Sequence, residues 1–166
     1  NDKNIIIFEG INTLSVSLSL DCGQAFRWSE NEDGIWHGVA FGKAVDISQE
    51  EDKLILKGNF SEGDERIWAD YFDLGRDYFS ICEKLKSDPH LKVAIEAYPG
   101  IRILRQESWE ALCSFIISQN NNIPRIKGIV ERLCTHFGED LGNGDFTFPS
   151  AEKLASFTVE DLAPIR

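Results

Sequence analysis

Long hydrophobic runs are missing from this 166-residue sequence, in which no uninterrupted stretch of aliphatic and aromatic residues exceeds the four at residues 5–8. A helix that crosses a bilayer needs roughly 20 such residues in a row. The sequence also lacks a basic start followed by an apolar segment, which a secretory signal requires. It therefore predicts neither a membrane protein nor a secreted one.

Cysteine and histidine are sparse, with four and three residues, and neither type occurs at metal-binding spacing. No CxxC pair and no HxxxH pair is present, so we expect reduced thiols, no metal site and no cofactor. The residues concerned are Cys22, Cys82, Cys113, Cys134, His37, His90 and His136.

Standard catalytic signatures are absent as well. The sequence contains no GxSxG nucleophile motif, no phosphate-binding P-loop and no glycine-rich dinucleotide fingerprint. These absences argue against a serine hydrolase, a P-loop NTPase and a nicotinamide enzyme.

Positive charge is scarce overall, with 17 basic and 28 acidic residues and a net charge of −11. Its distribution is uneven, because residues 1–100 carry 10 basic and 19 acidic side chains, whereas residues 102–132 carry five basic and three acidic ones. We therefore expect a polyanion to meet the second stretch. Its basic residues are Arg102, Arg105, Arg125, Lys127 and Arg132.

What is present, 42% hydrophobic and 27% charged residues, is typical of a folded globular protein. Up to about residue 60, apolar and polar residues alternate, as in "SVSLSL" (residues 15–20), and this period predicts strands. Asp33-Gly34 and "QEEDK" (residues 49–53) are typical of hairpin turns. We predict an antiparallel sheet of five or six short strands.

From about residue 65 the apolar spacing becomes helical, which makes the fold class α+β. Helices are predicted over residues 65–72 and 78–85, and a third begins at Asp88-Pro89. "ESWEALCSFIIS" (residues 107–118) is apolar on nearly every side, so we expect that helix to be buried. The next helix, up to Gly138, has one apolar stripe. Its members are Ile126, Ile129, Val130, Leu133, Cys134 and Phe137.

Three consecutive asparagines separate these last two helices, in "SQNNNIPRI" (residues 118–126). One interpretation is a turn in which one asparagine takes a left-handed conformation and another caps the next helix. The alternative is a turn that contacts a ligand, because amide and guanidinium groups together supply the donors and acceptors that read a base edge. The residues alone leave both open.

"LDCGQAFRW" (residues 20–28) places Gly23 and Gln24 between two strand-like runs. Such a pair most often marks a bulge or a bend. Its functional alternative is that Gly23 allows close approach to a flat ligand, with Phe26 nearby to stack.

Together with "YFDLGRDY", "FPSAEKLA" and the long block "GIRILRQESWEALCSFIISQNNNIPRIKGIVERLC", this segment resembles the 8-oxoguanine DNA glycosylases of the helix-hairpin-helix superfamily. The resemblance implies a sheet subdomain like half of the TATA-binding protein over residues 1–62, with helices to about residue 100 packed on it. Residues 101–166 would be the first, incomplete part of the helix-hairpin-helix domain.

The resemblance further implies base excision repair: extrusion of 8-oxoguanine from damaged double-stranded DNA, then cleavage of its glycosidic bond and of the strand by a lysine amine. Gly23 and Phe26 correspond to lesion-base contacts, and Asn120 and Arg125 to contacts with the orphan cytosine. Asn121 and Asn122 would support the turn.

The family's catalytic lysine and aspartate would lie beyond Arg166, so this chain alone is expected to be inactive. We expect an intracellular protein that is monomeric at full length. If the source is bacterial, we expect it to be cytoplasmic and associated with the nucleoid. Two alternatives remain: an alkylated-base glycosylase of the same superfamily, and a non-catalytic DNA or protein interaction module.

Overall fold

Five strands form one antiparallel sheet in the computed structural model, which describes residues 4–165. The strands are β1 (Asn4–Phe8), β2 (Trp28–Glu30), β3 (Trp36–Ala40), β4 (Lys43–Glu50) and β5 (Lys53–Gly58). Their spatial order is β1-β5-β4-β3-β2, so β2 to β5 form a meander and β1 pairs with β5 at the edge. The predicted fold class, an amino-terminal antiparallel sheet followed by helices, is confirmed.

Both predicted hairpin turns are present. Between β2 and β3, the Asn31 side chain accepts hydrogen bonds from the backbone N–H groups of Asp33 and Ile35, while Gly34 has a φ of +76°. Between β4 and β5, Glu51 takes a left-handed conformation with a φ of +52°. These turns set the register that buries Val45 and its neighbours on one face of the sheet.

"SVSLSL" is a short helix, α1 (Val16–Leu20), and the prediction of a strand there was wrong. Alternating serines fit either period locally, and hydrogen bonding decides between them. The Ser15 hydroxyl caps the helix by accepting from Leu18 N, and Ser19 N donates to Ser15 O. Val16, Ser19 and Leu20, at helical spacing, are then buried together.

Helix α2 (Asp64–Tyr71) places Trp68 and Tyr71 on the sheet, and Phe72 follows directly; all three are at most 2% exposed. Their rings meet mostly edge to face, as aromatic pairs prefer. The result is one continuous core between sheet and helix. Its other fully buried members are Leu20, Val45, Ile47, Leu54 and Leu56.

Helices α3 (Tyr78–Leu85) and α4 (Pro89–Ala97) begin where the sequence predicts, and neither contains a buried residue. Asp88 caps α4 by accepting hydrogen bonds from the backbone N–H groups of His90 and Leu91.

Helix α5 (Ser108–Ser118) is not buried, contrary to the prediction, and Ser114 is its single buried residue. Leu112, Phe115 and Ile116 are 51%, 64% and 62% exposed. Apolar side chains nearly encircle this helix, whereas α6 packs along one side of it, where Ile117 contacts the α6 core.

Helix α6 (Ile123–Phe137) has the predicted apolar stripe, and it ends at Gly138. A Cβ at Gly138 would collide with the backbone oxygen of Thr147, which explains the glycine without a left-handed φ. No helix within residues 4–165 is long and apolar enough to span a membrane. The remaining elements are β6 (Asp140–Gly142), β7 (Asp145–Phe146), α7 (Ala151–Ala155) and a 3₁₀ turn (Ala163–Ile165).

Candidate nucleic-acid interface

The asparagine run forms the turn between α5 and α6. Asn120 has a φ of +52°, a left-handed conformation that asparagine tolerates better than most residues. Asn122 is extended and caps α6, because its Oδ1 accepts a hydrogen bond from Arg125 N at 3.1 Å. The Asn121 amide donates to Ile117 O at 3.1 Å and accepts from Asn122 N at 3.0 Å. The side chains of Asn121 and Asn122 are therefore engaged within the turn itself.

Asn120 and Arg125, by contrast, have side chains open to an outside ligand. Both residues are exposed, and within residues 4–165 neither side chain makes a hydrogen bond or an ion pair. The Arg125 guanidinium lies in the first turn of α6, where the helix dipole adds partial positive charge. The Asn120 amide and the Arg125 guanidinium, five residues apart where α6 begins, are thus both available to donate hydrogen bonds to a ligand.

Gly23 lies against the start of α6. Its φ is +82°, and a Cβ built on it would be 3.4 Å from Ile123 Cδ1. Ile123 stands between Asn120 and Arg125 in sequence, so the segment that carries Gly23 packs against the segment that carries these two residues. A side chain at Gly23 would be strained by its conformation as well as close to Ile123.

Lys127 joins the segment that carries Gly23 to α6. Its Nζ donates to Asp21 Oδ1 at 3.1 Å and to Trp28 O at 3.2 Å, one group before Gly23 and one after it. The loop is therefore tied at both ends to the helix that presents Arg125.

Phe26 packs against α6 rather than standing free. It is half-buried and contacts the small core formed by Ile126, Val130 and Cys134. It also lines a cavity of about 230 Å³ between α6 and the sheet, together with Lys127. Its stacking role stays a prediction.

The Gln24 side chain is a structural anchor of this loop that sequence reasoning missed. Its Nε2 donates to Arg102 O at 2.7 Å and to Ser19 O at 3.0 Å, and its Oε1 accepts from Leu104 N at 3.0 Å. Two of these partners are 78 and 80 residues away in sequence, so the local spacing of residues cannot predict these hydrogen bonds.

Most of the basic stretch makes internal contacts, which reduces the charge that it offers to a polyanion. Arg102 is 3% exposed, and its guanidinium donates to Thr13 Oγ1 at 2.6 Å and to Asp73 O at 3.1 Å. Arg105 pairs with Asp73 at 2.8 Å. Arg132 donates to Ile165 O, and Lys127 donates to Asp21 and to Trp28 O. Of the five basic residues, Arg125 alone has no partner within the described residues.

A largely buried carboxyl lies beside Arg27, which follows the loop that carries Gly23. Glu110 of α5 is 3.7 Å from the Arg27 guanidinium, which also donates to Phe146 O. Burial raises the pKa of Glu110 to about 7, although the Arg27 charge acts to lower that pKa. Arg27 thus links β2 to both α5 and the β6–β7 hairpin.

His37 is a second polar link, after Arg27, between the five-stranded sheet and the β6–β7 hairpin. Its ring nitrogens meet Asp46 Oδ1 of β4 at 2.6 Å and Asp145 Oδ1 of β7 at 2.9 Å. Burial alone would lower the pKa of His37, but the hydrogen bonds to Asp145 and Asp46 more than offset it, and the net pKa is raised.

Residues 4–165 bring together no group of three His, Cys, Asp or Glu side chains that could hold one metal ion.

The chain matches a known protein family. Residues 6–112 match the family model described as "8-oxoguanine DNA glycosylase, N-terminal domain". The "N-glycosylase/DNA lyase" of Saccharomyces cerevisiae is 48% identical over 170 residues, which cover 89% of this chain and 44% of the yeast protein. The chain therefore spans about half the length of the curated relatives it matches.

Solved structures give the same result. The structure of MBOgg1 in complex with a low affinity DNA ligand is 45% identical with a TM-score of 0.91, over 100% of this chain and 61% of that one. The Clostridium acetobutylicum 8-oxoguanine glycosylase/lyase, in complex with double-stranded DNA containing cytosine opposite 8-oxoG, is 37% identical with a TM-score of 0.91, over 99% and 57% of the two chains. The chain belongs to the 8-oxoguanine DNA glycosylase family.

Proposed function

We propose that this chain supplies the lesion and orphan-base contacts of a DNA N-glycosylase/AP lyase that removes 8-oxoguanine in base excision repair. One observation carries the proposal: Gly23 lies against Ile123, which in sequence stands between Asn120 and Arg125, and the side chains of those two residues are exposed. Two recognition elements that extrusion of a base would separate are therefore adjacent and free to contact DNA.

The activity is assigned to a full-length protein, meaning this chain together with the remaining length that its relatives have. This chain covers 44% of the yeast relative. The catalytic lysine and aspartate of the family are proposed to lie in that remainder, and the chain alone is proposed to be inactive. The full-length protein would act as a monomer, inside the cell, on damaged double-stranded DNA.

Gly23 would recognise the lesion through its backbone carbonyl. Guanine has an acceptor at N7, whereas its 8-oxo form has a donor there, so a fixed carbonyl attracts the damaged base and repels the normal one. Such a contact contributes about 1 to 3 kcal/mol of discrimination when it is shielded from water. A left-handed glycine allows the backbone to come close enough to make it.

Asn120 and Arg125 would hold the cytosine that loses its partner. The pairing edge of cytosine has one donor and two acceptors, which an amide oxygen and a guanidinium fork can satisfy together. Adenine at the same position presents one donor and only one acceptor, so the guanidinium fork would lose one of its two partners. Opposite-base preference is therefore the property that these two residues would control.

Phosphate contacts would come mainly from outside this chain. Its net charge is −11, and four of the five cations in its basic stretch are engaged internally. Because phosphate contacts dominate the affinity of proteins for DNA, the chain alone is expected to bind DNA weakly.

Excision assays on a duplex containing 8-oxoguanine opposite cytosine test the assignment. The full-length protein is expected to release the base and cleave the strand, and the 166-residue chain to do neither. Release of undamaged or alkylated bases in place of 8-oxoguanine by the full-length protein would reject the function. Excision by the 166-residue chain would reject the placement of the catalytic residues.

The orphan-base contact is tested by Arg125→Ala in the full-length protein. We expect the preference for lesions opposite cytosine over those opposite adenine to fall by about tenfold or more, the size of losing a charged hydrogen bond. Arg66→Ala is the matched control, because Arg66 is also exposed but lies on α2. An unchanged preference in the Arg125 variant would contradict the role.

A further inference from the structure

Each hydrogen-bonding group of the Gln24 side chain has a backbone partner, and its Nε2 also donates to Cys22 Sγ at 3.3 Å. Gln24 joins Ser19, at the end of α1, to the extended segment at residues 102–106 through Arg102 O and Leu104 N. Its own carbonyl oxygen accepts a further hydrogen bond from Gln106 Nε2 at 2.6 Å. Both the side chain and the backbone of Gln24 are therefore fixed.

The groups that hold Gln24 are themselves rigid. Ser19 is fully buried, and its hydroxyl accepts a hydrogen bond from Arg102 N at 3.0 Å. The Arg102 side chain is anchored on Thr13 and Asp73, and its guanidinium carbon is 3.9 Å from the centre of the Tyr78 ring. Gln24 thus docks onto a part of the fold that has little freedom to move.

This anchoring acts directly on the Gly23 carbonyl. The carbonyl of Gly23 and the N–H of Gln24 belong to the same planar peptide unit, so a fixed Gln24 restricts where that carbonyl points. Glycine itself offers little restraint, because it adopts left-handed and other conformations with similar ease. The preceding residues, Asp21 and Cys22, are exposed.

We propose that Gln24 is a positioning residue for lesion recognition, which fixes the direction of the Gly23 carbonyl toward the damaged base. The inference rests on the proposed function of Gly23. It assigns to Gln24 no contact with DNA. Its effect is on the recognition of the extruded base and not on the recognition of the orphan cytosine.

Gln24→Glu in the full-length protein tests this role, because it keeps the size of the side chain but removes both amide donors. Gln49→Glu is the matched control: Gln49 also bridges two backbone groups, donating to Leu14 O at 2.7 Å and accepting from Val16 N at 3.0 Å, and it lies on β4. Affinity is measured for two duplexes, one with 8-oxoguanine opposite cytosine and one with a stable abasic-site analogue opposite cytosine.

The abasic duplex keeps the orphan cytosine but has no lesion base to read. We expect Gln24→Glu to weaken binding of the 8-oxoguanine duplex by about tenfold relative to the abasic duplex, the size of losing one shielded hydrogen bond. The Gln49 variant should leave that ratio unchanged. An equal loss on both duplexes, or an unchanged ratio, would overturn the positioning role.

Gln106→Ala provides a second route, because it removes the hydrogen bond to the Gln24 carbonyl and leaves the Gln24 side chain intact. It should shift the same ratio in the same direction, and it replaces the Gln24 variant if that variant does not fold. An unchanged ratio in this variant also counts against the proposal. If the unmodified protein does not prefer the 8-oxoguanine duplex to an undamaged one, the proposed function itself fails. If that preference is present and both variants leave the ratio of 8-oxoguanine to abasic binding unchanged, only the positioning role fails.

Discussion

The sheet with α2 and the helix pair α5–α6 use apolar residues in opposite ways. In the first region, Trp68 and Phe72 are fully buried and form one core with the strands. In the second, α5 is the more apolar helix, yet Phe115 and Ile116 are more than 60% exposed. The buried part of the pair is a small cluster along the α6 stripe.

The difference teaches that apolar content indicates burial only where the topology supplies an opposing surface. A sheet meander brings its own partner surfaces together, because each strand is paired by its neighbour and α2 covers the face. A helix with apolar residues on all sides needs several neighbours, and within residues 4–165 α5 has a buried contact mainly along α6. The two regions should therefore respond differently to mutation.

The largest expected effect is the loss of an aromatic side chain from the sheet core. Trp68→Ala removes a fully buried indole that packs against the rings of Trp28, Phe41 and Phe60. We expect the free energy of unfolding of this chain to fall by about 3 to 5 kcal/mol, through lost burial and the cavity left behind. Chemical denaturation measures it.

Phe115→Ala on α5 is the matched comparison, since it also removes an aromatic ring. Because that ring is 64% exposed, we expect a change within about 0.5 kcal/mol. A loss as large as that of the Trp68 variant would contradict the contrast between the two regions.

The second prediction concerns Glu110, at the joint between α5 and Arg27. Its pKa is about 7 in the folded protein against an ordinary value of 4.5, so the folded state holds the proton more tightly than the unfolded state does. Stability from this group is fully present below pH 4.5 and is lost as the pH rises through 7. A shift of this size corresponds to about 3 kcal/mol.

Glu110→Gln should remove this dependence. The variant is expected to be more stable than the unmodified chain above pH 8, by up to about 3 kcal/mol, and equal to it near pH 4. Glu32→Gln, at an exposed site in the turn between β2 and β3, is the matched control and should leave the pH profile unchanged, because Glu32 is not among the groups that act on Glu110. Parallel profiles for Glu110→Gln and the unmodified chain would show that burial does not shift this carboxyl.

Local signals in the sequence predict most of the fold. The hairpin turns, the bounds of α3, the Asp88 cap and the apolar stripe of α6 all depend on residues within about one turn of each other, where propensity and capping act. The prediction for α1 was wrong because alternating serines satisfy two periods, whereas the helix is stabilised by the Ser15 cap and by the burial of Val16, Ser19 and Leu20 together.

The site is less predictable because its contacts are long-range. Charge counting could not reveal that Arg102 is buried and donates to the Asp73 carbonyl, or that Arg105 pairs with the Asp73 carboxylate. Asp73 precedes both arginines by about 30 residues. Resemblance supplied Gly23, Asn120 and Arg125 as residues, but the contact of Gly23 with Ile123 follows only from the packing of two distant segments.

The smallest expected effect is at His37, the second polar link, between the sheet and the β6–β7 hairpin. Since both ring nitrogens face carboxylates, the doubly protonated ring donates to Asp46 and Asp145 together. The raised pKa means that its stabilising contribution is present below the unfolded value of 6.5 and is lost as the pH rises through the folded value. Because 42% of the side chain is exposed, solvent limits the effect to about 1 kcal/mol or less.

His37→Gln should therefore lower stability at pH 5.5 and have little effect at pH 9, whereas His90→Gln, at an exposed site on α4, should have little effect at either pH. Amide hydrogen exchange locates the change: protection should fall in residues 140–146 and persist in β4 and β5, which the sheet core holds. Equal loss of protection in the hairpin and in β4 and β5 would mean that the hairpin and the sheet open as one unit. The contrast between the apolar sheet core and the polar link at His37 would then not hold.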